Sequence, residues 1–216
     1  MPKPTNMRTG GQILIDQLKI HDVDTAFCVP GESYLAALDA LHDAPEIRLL
    51  TCRHEANAAN MAEAYGKLTG RPGICFVTRG PGACHAVVGL HTAFQDSSPM
   101  ILFVGQVGRA MAEREAFQEM DFRRFFGQVS KWSAEIQDPA RIPELVSQAF
   151  HAATSGRPGP VVLSLPEDML REPSGVADAR RYRPVQAHPG PADLAALRAM
   201  LEAAKRPVML LGGATW

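Results

Sequence analysis

The sequence carries only 4 cysteines in 216 residues, and no two of them form a Cys-x-x-Cys pair. That excludes a disulfide-stapled secreted scaffold and a zinc ribbon. Cys28, Cys52 and Cys75 stand in apolar, strand-like runs and read as buried, reduced thiols. No charge of one sign prevails: 22 Lys and Arg face 23 Asp and Glu, a formal net charge of -1. A broad basic face for nucleic acid or for an acidic membrane is therefore not expected. Nor is there an apolar run of bilayer length, since Met100–Val104 and Val208–Leu211 are only strand-sized. The start, Met1 to Gly10, is polar and lacks the apolar core of a secretion signal, so a cytoplasmic location is expected. Internal repeats and low-complexity tracts are absent too. What remains is an ordinary globular balance, 46% hydrophobic and 21% charged, at a length that suits one sizeable domain and an extra piece.

Helical and strand patterns alternate along the chain. Gly10–Ile20 has apolar residues at helical spacing, and Asp24–Val29 is a short strand ended by Pro30-Gly31. Tyr34–His42 puts Leu35, Leu38 and Leu41 on one helical face, and Ile47–Cys52 is the next strand. Ala56–Leu68 is a helix rich in small residues, stopped by Gly70 with Pro72 beyond. Gly73–Thr78 is a strand, Gly80–Phe94 a helix, and Met100–Gly105 a strand. After a long connection, from Gln106 to about Gln128, come a helix over Arg141–Thr154 and a strand over Pro160–Leu165. This order predicts an α/β fold, a mostly parallel sheet with helices on both faces. We expect a first domain over 1–168 and a Pro- and Arg-rich linker over 169–190. A truncated second α/β domain would begin over 191–216, with a helix at Ala192–Ala204 and a strand at Pro207–Leu211.

In such folds ligands sit beyond the carboxyl ends of the strands. That rule selects Pro30–Ser33, Arg53–Glu55, Thr78–Gly82 and the connection over Gly105–Gln118. Gly80-Pro81-Gly82 follows a strand and opens a helix, as a dinucleotide fingerprint would, but the third glycine position holds His85. A phosphate loop fails at Gly66-Lys67, which is followed by Leu68. The turn is either a tight strand-to-helix corner or a place where a ligand approaches the backbone. Glu55 is either a first-turn carboxylate favoured by the helix dipole, worth about 0.3–1 kcal/mol, or a reactive carboxyl at a sheet tip. Ala56, Ala58, Ala59, Ala62 and Ala64 beside it would let other groups pack close and exclude water. His54, His85 and His91 show no metal-ligand spacing, and no metal site is expected. No Gly-x-Ser-x-Gly elbow is present.

Arg53-His54-Glu55 with Ala56–Ala64 and Tyr65-Gly66 resembles a segment of thiamine-diphosphate enzymes, and so does Val77–Ala83, VTRGPGA. Asp96–Pro99, Gly105-Gln106-Val107 and Ala116–Glu119 resemble the D-S-x-P, TGQV and AFQE segments of acetolactate synthases. Ser155–Pro166 resembles the strand that closes the same domain, so the match runs in order from about Thr9 to Asp168.

The resemblance implies an N-terminal, pyrimidine-binding domain of an enzyme that decarboxylates or joins 2-oxo acids through thiamine diphosphate. It implies that Glu55 hydrogen-bonds the pyrimidine and activates the cofactor, with Gln118 facing the reacting end. It also implies that Pro30, Gly31, Glu32, Thr78, Gly80, Pro81, Gly82 and His85 line the cofactor. In the family, diphosphate and magnesium are held by a GDG motif on a C-terminal domain; no GDG occurs in this sequence. The cofactor there lies at a subunit interface, which implies a homo-oligomer, and a flavin (FAD) in a middle domain is left open. Three positions depart from the acetolactate synthase pattern. Glu32-Ser33 stands for Gly-Ala, Arg79 for Ser, and His85 for Asn, with Glu32 and His85 as candidate modifiers of substrate choice. A non-catalytic binding or dimerisation module of the same fold is the alternative reading.

Overall fold

The computed structural model describes residues 7–210 and residue 212. In chain order its elements are β1 (Arg8–Thr9), α1 (Gly10–Ile20), β2 (Thr25–Cys28), α2 (Leu35–His42) and β3 (Arg48–Thr51). Then come α3 (Glu55–Thr69), β4 (Gly73–Val77), α4 (Gly80–Asp96), β5 (Met100–Gln106), α5 (Phe122–Phe125) and β6 (Trp132–Glu135). The series closes with α6 (Ile142–Thr154), β7 (Pro160–Pro166), α7 (Glu167–Arg171), β8 (Pro173–Ser174) and α8 (Pro191–Ala203).

Local chemistry sets the helix ends. Thr9 and Gln12 form a reciprocal capping box at the start of α1. α3 starts on a His54 cap and stops at Gly70, whose φ of 69° only glycine adopts cheaply. α4 takes Pro81 in its first turn, where a missing N–H costs nothing.

Six strands form one sheet in the order β3-β2-β4-β5-β7-β6, and every neighbouring pair is parallel. Its central strands are buried on both faces, so they read as continuous apolar runs. Alternate residues serve opposite layers. Ile74, Phe76, Ile101, Phe103, Val161 and Leu163 pack with α1, α2 and α6. Cys75, Val77, Met100, Leu102, Val104 and Val162 pack with α3, α4, Phe122 and Phe126. Cys28 and Cys75 are buried, Cys52 is half-buried and Cys84 exposed, and all four are free thiols. No helix among the described residues is long and apolar enough to cross a membrane.

The structure differs from the sequence reading in three places. β6 has no apolar run to announce it, because it is an edge strand with each residue only half-buried. The packed unit continues beyond residue 168: α7 buries Met169 and Leu170, and β8 pairs antiparallel with β1. Val176 and Tyr182 then pack against the α1 layer, contacts that a Pro- and Arg-rich composition hides. Finally, α8 is present but no residue of it is buried, and residues 207–210 form no strand. Leu211 and residues 213–216 of the expected strand and glycine pair lie outside the described residues.

His21 holds the returning tail. Its ring stacks on Phe150 at 4.2 Å, and its Nδ1 lies 2.8 Å from the Gln17 carbonyl oxygen. That oxygen can only accept, so Nδ1 carries the proton and Nε2 accepts from the Tyr182 amide at 3.3 Å. Burial lowers the His21 pKa, with Arg181 adding to it, despite the opposing bond to Gln17. Below the ordinary value of about 6.5 the unfolded chain takes up a proton that the folded ring refuses. This contribution to stability is therefore full above that pH and lost as pH falls towards the depressed folded value. Between about pH 7 and about pH 5, melting curves of His21→Gln should show a smaller loss of stability than wild type; an equal loss would remove His21 as the cause.

Candidate active site

The chain leaves β2 outward to β3, then crosses back to place β4 on the other side of β2. The carboxyl ends of β2 and β4 therefore flank a switch in strand order, the place where open α/β sheets form a crevice. Close packing defines its floor. A side chain at Gly31 would put its Cβ 2.6 Å from Thr78 Cβ, so only glycine lets the two tips touch. Ser33 Oγ lies 2.9 Å from Thr78 Oγ1, and Gly105 on β5 leaves room for Ser33.

Glu55 opens α3 immediately after its cap, where His54 Nδ1 accepts the Ala56 amide at 3.1 Å. α3 and α4 start at the carboxyl ends of β3 and β4, the two strands that flank β2. Small residues let them close on each other: Ala58, Ala59 and Ala62 are fully buried, and a Cβ on Gly89 would stand 2.6 Å from Ala59. Their first turns are drawn together as a result. Glu55 Oε2 lies 2.9 Å from His85 Nδ1, and the His85 ring stacks on His54 at 4.6 Å. Glu55 Oε1 turns the other way, 3.5 Å from where a Cβ on Gly82 would sit. The Glu55 side chain is only 12% exposed, whereas that of His85 is 53% exposed.

His54, Glu55 and His85 each place a ligand-type atom within 4.8 Å of the others. Their linear spacing hides this cluster, because helix contact and not sequence proximity brings His85 in. His91 is outside it. The Nδ1 of His54 is already committed to capping α3, so the trio is held by a hydrogen bond, a stack and a cap.

Arg79 is the site residue that motif reading placed only as a departure. It is buried, and its guanidinium bonds Glu32 and Glu167 at 2.8 Å each. It thereby ties the tip of β4 to the tips of β2 and β7, while its Nε, also buried, has no partner among the described residues. Glu32 and Arg79, two of the three departures, are thus the two ends of one ion pair. An arginine without Glu32 and Glu167 would be a buried, uncompensated charge.

The long connection returns over the same edge. The Gly80 amide donates to the Gln118 carbonyl at 3.0 Å, which seats Gln118 against the start of α4. Glu113, Glu115 and Gln118 have φ of 61°, 52° and 63°, a left-handed conformation that costs non-glycine residues roughly 1 kcal/mol or more each. Glu119 holds the loop in that shape by accepting the Glu113 and Ala116 amides. Among the described residues, hydrogen bonds thus join Glu55 to His85 and Gly80 to Gln118, Gly31 packs against Thr78, and Gly82 leaves room beside Glu55 Oε1. Pro30 and Pro81 are exposed at the rim, and Glu32 faces Arg79 and not Glu55.

Comparison with known proteins adds an independent finding. Residues 8–125, more than half of the chain, match the family model described as thiamine pyrophosphate enzyme, N-terminal TPP binding domain. An acetolactate synthase large subunit from Parasynechococcus marenigrum (strain WH8102) is 38% identical over 216 residues, 95% of this chain and 35% of that protein. An acetolactate synthase from Bacillus subtilis (strain 168) is 38% identical over 205 residues, 94% of this chain and 36% of that protein. The mitochondrial acetolactate synthase catalytic subunit of Saccharomyces cerevisiae (strain ATCC 204508 / S288c) is 39% identical over 169 residues, 76% of this chain and 25% of that protein. The chain spans about a third of the length of the first two relatives.

Gly89→Ala should cost about 1–3 kcal/mol, because backbone of α3 stands where the new methyl must go. Denaturant midpoints would show it, with Val88→Ala on the exposed face of α4 staying within about 0.5 kcal/mol of wild type. Equal stability of the two variants would mean that α3 and α4 are not in close contact.

Proposed function

The chain belongs to the thiamine pyrophosphate enzymes, as a bearer of their N-terminal TPP binding domain, and on that premise we propose that it holds the pyrimidine side of thiamine diphosphate with Glu55 as the activating acid. The single observation that carries this reading is the Glu55 carboxyl. It is withdrawn from water at the strand tips, with one oxygen turned to the Gly82 side of the crevice.

The residues fit such a group. Gly31 and Gly82 both pack on the Thr78 side chain without bulk of their own, and a Cβ on Gly82 would stand 3.5 Å from Glu55 Oε1, in the space beside the carboxyl. An aminopyrimidine offers a ring nitrogen that pairs with a carboxyl, and Glu55 supplies one with a free oxygen. When bound, the cofactor supplies an electron sink for the carbon left as a 2-oxo acid loses carbon dioxide. The protein's part is to bind, to orient and to move protons. Glu55 Oε1 exchanges a proton with the ring nitrogen, and its low exposure keeps competing water away. Gly80, Pro81 and Gly82 let the backbone of the α4 turn approach the ring, with Pro30 at the rim. Gln118, seated on Gly80, faces the reacting end. Glu32 and His85 adjust which substrate is taken.

Diphosphate and magnesium would be held by another domain, since this sequence contains no GDG motif. The proposed substrates are small 2-oxo acids, decarboxylated or joined to an acceptor carbonyl as in an acetolactate synthase. A homo-oligomer with the cofactor at a subunit interface completes the reading.

The test is proton–deuterium exchange at the reactive carbon of bound thiamine diphosphate, followed by NMR in the protein that carries this domain. Glu55→Gln should keep the fold, bind cofactor and slow exchange by roughly 10²–10⁴-fold, the usual worth of a positioned acid–base group. Exchange at the wild-type rate would defeat the assignment.

A further inference from the structure

The Glu55 carboxyl has two oxygens with different neighbours, and we infer that His85, through its bond to Oε2, is a positioning residue that fixes this carboxyl and passes protons between it and solvent. The inference rests on the reading of Glu55 given above and extends it to a residue that no relative's name accounts for.

The geometry begins with the 2.9 Å contact between His85 Nδ1 and Glu55 Oε2. Oε2 accepts whether the carboxyl is ionised or carries its proton on Oε1, so Nδ1 carries the proton of this bond, and in the neutral imidazole Nε2 holds the lone pair. The ring cannot swing freely, because it stacks on His54 at 4.6 Å and His54 is pinned by its bond to the Ala56 amide. Glu55 is therefore held with Oε2 on the histidine and Oε1 on the Gly82 side. Exposure differs sharply along the pair, 12% for Glu55 against 53% for His85. A proton that enters or leaves the shielded carboxyl has the half-exposed imidazole as its next stop.

The transfer balances without a co-reactant. With the carboxyl protonated on Oε1, a solvent proton would bind Nε2, the Nδ1–H bond break and an O–H bond form on Oε2, as Oε1 releases its own proton toward the pyrimidine nitrogen. The imidazole ends neutral, with its proton on the other nitrogen. The return passage restores the first tautomer. An amide at this position, as in the acetolactate synthase pattern, can make the hydrogen bond but cannot exchange a proton in this way. His85→Asn therefore separates holding the carboxyl from supplying it with protons.

The experiment uses the protein that carries this domain, with thiamine diphosphate bound, and follows hydrogen–deuterium exchange at the reactive carbon. His85→Asn should bind cofactor as wild type does and exchange roughly 10–100-fold more slowly, less than the roughly 10²–10⁴-fold worth of a direct acid–base group because His85 acts through Glu55. His85→Ala should also be slow, and added imidazoles should restore exchange in proportion to their basicity, which a purely structural gap would not show. Wild-type exchange in His85→Asn would overturn the proposal, as would an unrescued but folded His85→Ala. Glu55→Gln, measured alongside, separates the two claims. Exchange lost there but normal in His85→Asn overturns only the role of His85, whereas exchange retained there overturns the reading of Glu55 as well.

Discussion

The contact between α3 and α4 is the constraint on which the site depends. Both helices start at carboxyl ends of strands, and their separation decides whether their first turns can share chemistry. Ala58, Ala59 and Ala62 on one side and Gly82 and Gly89 on the other present almost no side-chain bulk. The backbones come close, and polar groups that would otherwise lie apart on two helix surfaces meet as Glu55 and His85. Larger residues in this seam would leave each half of the pair solvated on its own helix. The small-residue texture is thus a positional device as much as a packing one.

Charge is handled by local pairing at the same edge. Arg79 is buried where three strand tips meet, a position that would be costly without carboxylates. Glu32 from the β2 tip and Glu167 from α7 meet it there, and each comes from a different crossover. The ion pairs therefore fix the loops relative to one another. Because Glu32 is spent on Arg79, Glu55 remains the carboxyl free to face the crevice. The strained loop around Gln118 is held against the start of α4 by one backbone bond and by Glu119. Strain of this kind persists only where surrounding contacts over-determine it, and it gathers where function needs a fixed group.

Much of this was legible in the residues. The alternating apolar runs located α1, α3, α4 and α6 and the strands β2, β3, β4, β5 and β7, because a parallel sheet covered on both faces leaves its strands no polar side. Glu55, Gly31, Thr78 and Gly82 were marked by lying at strand ends, Glu55 beside an alanine-rich helix and the others in glycine-bearing turns. β6 escaped because an edge strand needs no apolar run, and the packing of Met169, Leu170 and Tyr182 was masked by the prolines and arginines around them. The departures Glu32, Arg79 and His85 were visible one by one, but not as partners.

Local pattern was enough for the order of the main helices and central strands, the family texture and the strand-end location of the acidic residue, because periodicity, glycine turns and motif spacing act over neighbouring residues. Tertiary structure alone decided that His85 meets Glu55, that Arg79 joins Glu32 to Glu167, and that Gln118 rests on Gly80. Those pairs are 30, 47, 88 and 38 residues apart, far beyond any helical or strand repeat. Only the packing of small residues between α3 and α4, and the return of the chain across the sheet, brings them within bonding distance.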